Sequence, residues 1–281
     1  MIPRRLRRGL ASLLFLGLAF SSALPLRADD PALDAKTLEI LGNASGFYAD
    51  LSSFQADGSN VLKNNHPELG IKMEATETFS IAMSRPDSFA FVKKSGVGSG
   101  GMLLSNGKTT AAYVISSVPN GNKKEYLLAP APPELSELLT TNTQLSYGRV
   151  LVNTALFEAL LAKYPFGPLV NRWTSGTYVG PEKIGEIPAE HVRLTSILRE
   201  RKSTTDLWFA SGQSPFLVQA SWALDSQTGN TLTFSNWRTN EALSTEQFEF
   251  HPPEDATRVT DFSMPTRKEE PPPWVKVKPT P

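Results

Sequence analysis

Cysteine is absent from this chain of 281 residues. That absence excludes disulfides, a thiolate nucleophile, thiolate metal ligands and membrane attachment through an acylated cysteine. Histidine is scarce: His66, His191 and His251 are the whole complement. None has a second histidine nearby in sequence or sits in a His-Glu-x-x-His run, so no metal site is predicted. No Gly-x-Ser-x-Gly pentapeptide occurs that would set a serine on a strand-to-helix elbow. Beyond residue 28 no apolar run approaches the roughly 20 residues that span a bilayer as a helix. A catalytic constellation, a cofactor site and a stable membrane anchor are therefore not expected.

Charge of one sign is also lacking, with 28 basic and 28 acidic residues. The balance is uneven along the chain, because residues 1–28 hold Arg4, Arg5, Arg7, Arg8 and Arg27 and no acid. Without that segment 23 basic and 28 acidic side chains remain, a net charge of −5. A mildly acidic surface repels phosphate backbones, so nucleic acid is not an expected partner.

The first 28 residues have the three zones of a Sec-type signal peptide. Arg4 to Arg8 form the positive zone, Leu10 to Phe20 the apolar run, and small and polar residues lead to a cleavage site near Ala28, with Ala23 as a second site. Residues 29–265 are expected to form one domain, and the proline- and charge-rich residues 266–281 a disordered tail.

Period decides the elements. Leu33, Thr37, Leu38, Leu41, Ala44 and Leu51 recur at helical spacing over about 32–51, with Asp30-Pro31 as the start signal. From Phe54 the period becomes two. Phe79, Ile81 and Met83 alternate with smaller residues, Arg85-Pro86-Asp87 turns, and Phe89 and Phe91 alternate again. Asn106-Gly107 marks a hairpin, since such pairs tolerate positive φ. A short helix is predicted from Pro133-Glu134, and Val152, Ala155, Leu156, Ala159 and Leu160 make a second stripe that Pro165 ends. Strands return around 192, 208, 217–224, 231–237 and 247–250. About ten strands joined by short turns predict a mainly β, antiparallel sheet rather than βαβ units.

Two glycine-rich segments resemble phosphate loops and fail on context. Gly101 to Gly107-Lys108-Thr109 has the wrong spacing and leads into a strand, and no helix follows Gly96 to Gly101. His191, beside Glu190 and Arg193 on a strand, is read as a satisfied polar residue.

The strands carry many large apolar side chains. Phe79, Ile81, Met83, Phe89, Phe91, Trp208, Trp222 and Phe234 are the candidate lining of a ligand cavity on the concave side of a curled sheet. Arg172 and Arg193 are candidate headgroup or lid partners.

Arg85-Pro86-Asp87-Ser88-Phe89-Ala90-Phe91, Ser105-Asn106-Gly107-Lys108-Thr109 with Tyr113, and Tyr126-Leu127-Leu128-Ala129-Pro130 resemble a family of predicted periplasmic proteins, domain of unknown function 2092 (DUF2092). Ile187 to Leu194, Asp206-Leu207-Trp208-Phe209, Pro215-Phe216 and Phe248 to Pro253 continue the resemblance in order, over about residues 34–262. That family is similar to the lipoprotein-carrier (LolA-like) superfamily. The resemblance implies an unclosed, curved antiparallel half-barrel with helices covering its concave face. It implies binding of an apolar small molecule, a lipid acyl chain or a lipidated protein by a monomer in the periplasm, without catalysis. The chain departs from the outer-membrane acceptors of that superfamily, which are themselves lipoproteins, in lacking the cysteine to be acylated. A protein-interaction or envelope-stress sensor module with a filled core is the alternative, and a hydrolase whose residues assemble from afar is a third.

Overall fold

The computed structural model describes residues 32–67, 70–95, 100–118, 121–139, 154–167, 173–198, 201–223, 228–260 and 262. Residues 1–31 and 263–281, Val152, Arg172 and the glycines at 96 and 98 lie outside the described residues.

Alternation of apolar and polar side chains is what a strand buried on one face requires, and among the described residues it builds thirteen strands into one sheet. In chain order these are β1 (Ala32–Leu33), β2 (Ser53–His66), β3 (Ile71–Ser84), β4 (Ser88–Ser95), β5 (Gly100–Asn106), β6 (Thr109–Val118), β7 (Gly121–Pro130), β8 (Ser175–Ile184), β9 (Ile187–Leu198), β10 (Arg201–Ala210), β11 (Leu217–Ala223), β12 (Thr228–Thr239) and β13 (Thr257–Arg258). Their order across the sheet is β1-β8-β9-β10-β11-β12-β2-β3-β4-β5-β6-β7-β13. Two antiparallel meanders, β2 to β7 and β8 to β12, meet where β12 pairs with β2. The sheet is open, and only its two-residue edge strands pair in parallel, β1 with β8 and β13 with β7.

The expected hairpins form where the turn residues said they should. Ser84 pairs with Ser88 across Arg85-Pro86-Asp87. At the Asn106-Gly107 turn, Gly107 takes φ +80° and the Asn106 side chain accepts from the N–H groups of Lys108 and Thr109. The segment after Pro133 is a 3-10 turn, Leu135–Glu137, rather than an α-helix.

Helix α1 (Ala35–Asp50) buries Ile40, Leu41, Ala44 and Tyr48 on one stripe. Its cap is Asp34, not Asp30, because the Asp34 carboxylate accepts from two backbone N–H groups, Thr37 on the first turn and Tyr178 on β8, each at 2.7 Å. These bonds hold its carboxyl below the usual range, that to Thr37 most strongly. At the other end Arg85 donates to the carbonyls of Leu51 (3.1 Å) and Tyr48 (3.3 Å). Helix α2 (Thr154–Leu161) stops before Pro165 as its stripe predicted, and its Leu156, Phe157, Ala159 and Leu160 are buried.

One large core joins both helices to a single face of the sheet, from Phe54 on β2 to Leu127 on β7 and from Val192 on β9 to Phe234 on β12. This is the inner face of the sheet. The outer face carries two small clusters: Ala82, Ala90 and Leu104 beneath Phe248, and Trp208 with Ala189, Ala210 and Val218.

Candidate functional site

The register sorts the inner face into rows of directly opposed side chains. One row holds Phe234 on β12, Gly58 on β2 and Phe79 on β3. A Cβ on Gly58 would overlap the Phe79 ring, so glycine is what lets that ring lie over the strand. Phe79 stacks on Phe91 at 5.3 Å between centroids and meets Phe234 edge-on at 5.6 Å. Phe157 of α2 closes on both Phe79 (6.0 Å) and Phe91 (5.2 Å). Toward α1, Tyr48 gathers Phe54, Phe166 and Trp237, and its hydroxyl accepts from the Leu217 N–H at 2.9 Å. Burial holds the Tyr48 phenol well above its ordinary range.

The next row is Leu207, Ala220, Leu232, Asn60 and Glu77 on β10, β11, β12, β2 and β3. Its apolar members are buried, but Asn60 is 0% exposed and neither its Nδ2 nor its Oδ1 has a hydrogen-bond partner among the described residues. Glu77 pairs with Lys93 at 3.3 Å, and both side chains are largely buried. One row further on, Thr205, Trp222, Asn230, Leu62 and Ala75 oppose one another, and none is fully buried. Thr228, Asn64 and Met73 follow, with Met73 50% exposed. The inner face thus passes from a packed aromatic layer, through buried polar groups, to a half-open apolar margin.

Of the residues the sequence nominated, Phe79, Ile81, Met83, Phe89, Phe91 and Phe234 lie together in the inner core. Trp222 shares their face at the half-open margin. Trp208 does not share it: with Leu207 and Phe209 turned inward, alternation sends Trp208 to the outer face, where it stacks on His191 at 4.2 Å. Arg193 is on the outer face too, its Nε 2.7 Å from Asp206, and so it is no headgroup ligand for the inner face. Asn60, Asn230 and Phe157 went unnoticed in the sequence. Period two was the available signal for Asn60, which stands two and four residues beyond the inward positions Gly58 and Ala56.

His191 is buried on the outer face between two carboxylates, Nδ1 3.0 Å from Glu182 and Nε2 2.8 Å from Asp206. The Trp208 indole N–H donates to Glu182 at 2.9 Å, and this bond, then that from His191, holds the Glu182 carboxyl below its usual range. On the opposite, inner side of the same strands Tyr178 packs against the large core and donates to Glu190 at 2.6 Å; that bond first and burial second push its phenol up to about 12. Among the described residues no hydroxyl bonds to His191, so the cluster offers the ring no nucleophile to activate and acts as a clasp across β8, β9 and β10. Nor do the described residues bring three or more acidic or histidine side chains together for a metal ion. No described helix is long and apolar enough to cross a membrane.

Two clefts lie elsewhere. One of about 150 Å³ on the outer face is lined by Gln55, Asp57, Ser80, Arg238 and Gln247 among others. Another of about 440 Å³ lies at the end of α1, between Phe47, Leu51, Pro215 and Asn240. Neither contains a buried unpaired polar group.

Among solved structures the chain is similar to the Mycobacterium tuberculosis lipoprotein LppX, at 17% identity over 74% of this chain and 97% of that one, with a TM-score of 0.41. It is also similar to LprF from Mycobacterium bovis, at 13% identity over 75% and 96%, with a TM-score of 0.34. A domain from Vibrio parahaemolyticus, provisionally described as that of an outer membrane lipoprotein-sorting protein, is similar at 9% identity over 75% and 95%, with a TM-score of 0.30. No curated protein matches the chain. Residues 37–261 do match a family throughout, and the chain belongs to it: DUF2092, the predicted periplasmic proteins.

Proposed function

We propose that this is an extracytoplasmic binding or carrier protein, exported by residues 1–28, that holds an apolar ligand such as a lipid acyl chain or a lipidated partner against the inner face of its sheet. In this reading the sheet of the 29–265 domain curls about that face, α1 and α2 cover it, and the protein acts as a monomer without catalysis. The observation that carries the reading is the half-open margin. Trp222, Leu62 and Ala75 continue the rows of the core yet remain only partly buried, which is what a surface completed by a ligand looks like. Each methylene laid against it would contribute about 0.8 kcal/mol, so a short stretch of acyl chain suffices for useful affinity. The nominated residues Phe79, Phe91 and Phe234 would then back the site as a closed aromatic layer, and Trp222 would line the chain itself.

Lipid extraction and native mass measurement of the purified protein test this. A co-purifying acyl species and saturable uptake of a fluorescent acyl lipid are expected; absence of both refutes it. A second reading, a filled interaction or sensor module, is favoured by the close ring packing of Phe157 on Phe79 and Phe91. It predicts a protein partner and no lipid.

A further inference from the structure

Six buried side-chain polar atoms lack a partner among the described residues, and four of them belong to Asn60, Asn64 and Asn230. These three asparagines share the inner face along the seam of β2 and β12. Asn230 lies opposite Leu62, and so is the diagonal neighbour of both Asn60 and Asn64. Diagonal pairs of this kind are about 7–8 Å apart, within reach of one polar group between them. Buried polar groups are ordinarily hydrogen-bonded, so a run of unpaired ones along one seam marks a place where something else supplies the bonds. What is unpaired sets the chemistry: three carbonyl oxygens, which accept, and one amide nitrogen, which donates. The adjacent cation, Lys93, is already engaged with Glu77.

We infer that this seam is a headgroup subsite for a neutral acyl lipid whose polar end carries hydroxyl groups, with Asn60 and Asn230 as its specificity-determining residues. Hydroxyls donate to the asparagine carbonyls and accept from the Asn60 amide, while the acyl chain runs over Leu62, Ala75 and Trp222. A carboxylate headgroup has nothing to donate and would set negative charge against the same carbonyl oxygens. The inference rests on the acyl-lipid reading above.

Binding of 1-monooleoylglycerol and of oleate, identical in chain and different in headgroup, tests it by native mass spectrometry and probe displacement at neutral pH. Monooleoylglycerol should bind at least about tenfold tighter, the scale of one or two net hydrogen bonds. Asn60→Leu should remove most of that preference by weakening monooleoylglycerol while leaving oleate unmoved. Asn230→Leu, on the less buried row, should do the same and serves if the first variant misfolds. Equal or tighter binding of oleate, or an equal loss of both ligands in the variants, overturns the inference and leaves the acyl-lipid reading standing. Binding of neither ligand to the unaltered protein overturns both.

Discussion

Phe157→Ala probes whether α2 is seated on the inner face as described. The Phe157 side chain is 0% exposed and lies edge-on to Phe79 and to Phe91. Truncating a fully buried phenylalanine costs about 3–5 kcal/mol, part transfer and part residual cavity. The loss of two edge-on ring pairs, worth about 0.5–1.5 kcal/mol each beyond simple burial, places this site in the upper half of that range, about 4 kcal/mol. Urea unfolding followed by tryptophan fluorescence reads the change. With a slope of about 3 kcal/mol per molar, at the upper end for larger domains, the midpoint should fall by roughly 1.3 M. Phe157→Leu, which keeps most of the apolar volume, should lose much less. A cost under about 1 kcal/mol for the alanine variant would refute the packing, since an aromatic ring with no tight neighbours is the only kind removed so cheaply.

Other substitutions report on other parts of the sheet. Asn60→Leu should raise stability without ligand by about 1–3 kcal/mol, because it removes two unpaired buried groups; a lower unfolding midpoint would contradict that. Asp34→Ala should cost about 1–2 kcal/mol at neutral pH through loss of the cap and of its bond to Tyr178. Because the Asp34 carboxyl is held low in the folded state, its contribution is full above the ordinary carboxylate range and lost as pH falls through the lowered value. The difference between wild type and Asp34→Ala should therefore shrink in acid, and a gap that widens there would reverse the sign of this account. Gly58→Ala should cost about 1–3 kcal/mol through overpacking against Phe79, and pairing it with Phe79→Leu should recover part of that loss. Strict additivity in this double-mutant cycle would argue against the contact.

Local chemistry made much of the fold legible. The Asn106-Gly107 reversal, the alternation of Phe79, Ile81 and Met83 and the stripe of α1 all follow from short-range rules. What escaped depends on partners far away in the chain. Asp34 outcompetes Asp30 as the cap because a second N–H arrives from Tyr178, which no local pattern reveals. The length of β2 was hidden because Asn60 and Asn64 break the alternation on its inner side. The direction of Trp208 was misjudged because a large aromatic is expected inside, yet Leu207 and Phe209 leave it no place there; stacked on His191 with its indole bonded to Glu182, it is satisfied on the other face. Polar residues on an apolar face were thus the costliest to misread and the most informative about the site.

The joint between β12 and β2 bears on how the molecule comes into being. Bonds across and beside it link residues 162 to 188 positions apart, His66 with Thr228 and Ser52 with Asn240. A chain threaded amino end first completes β2 through β7 long before β12 emerges, and during that interval the free margin of β2 is a row of unsatisfied backbone groups. Contacts of such long range form slowly, so the nascent protein has to be kept from pairing with its neighbours until its final strands are delivered.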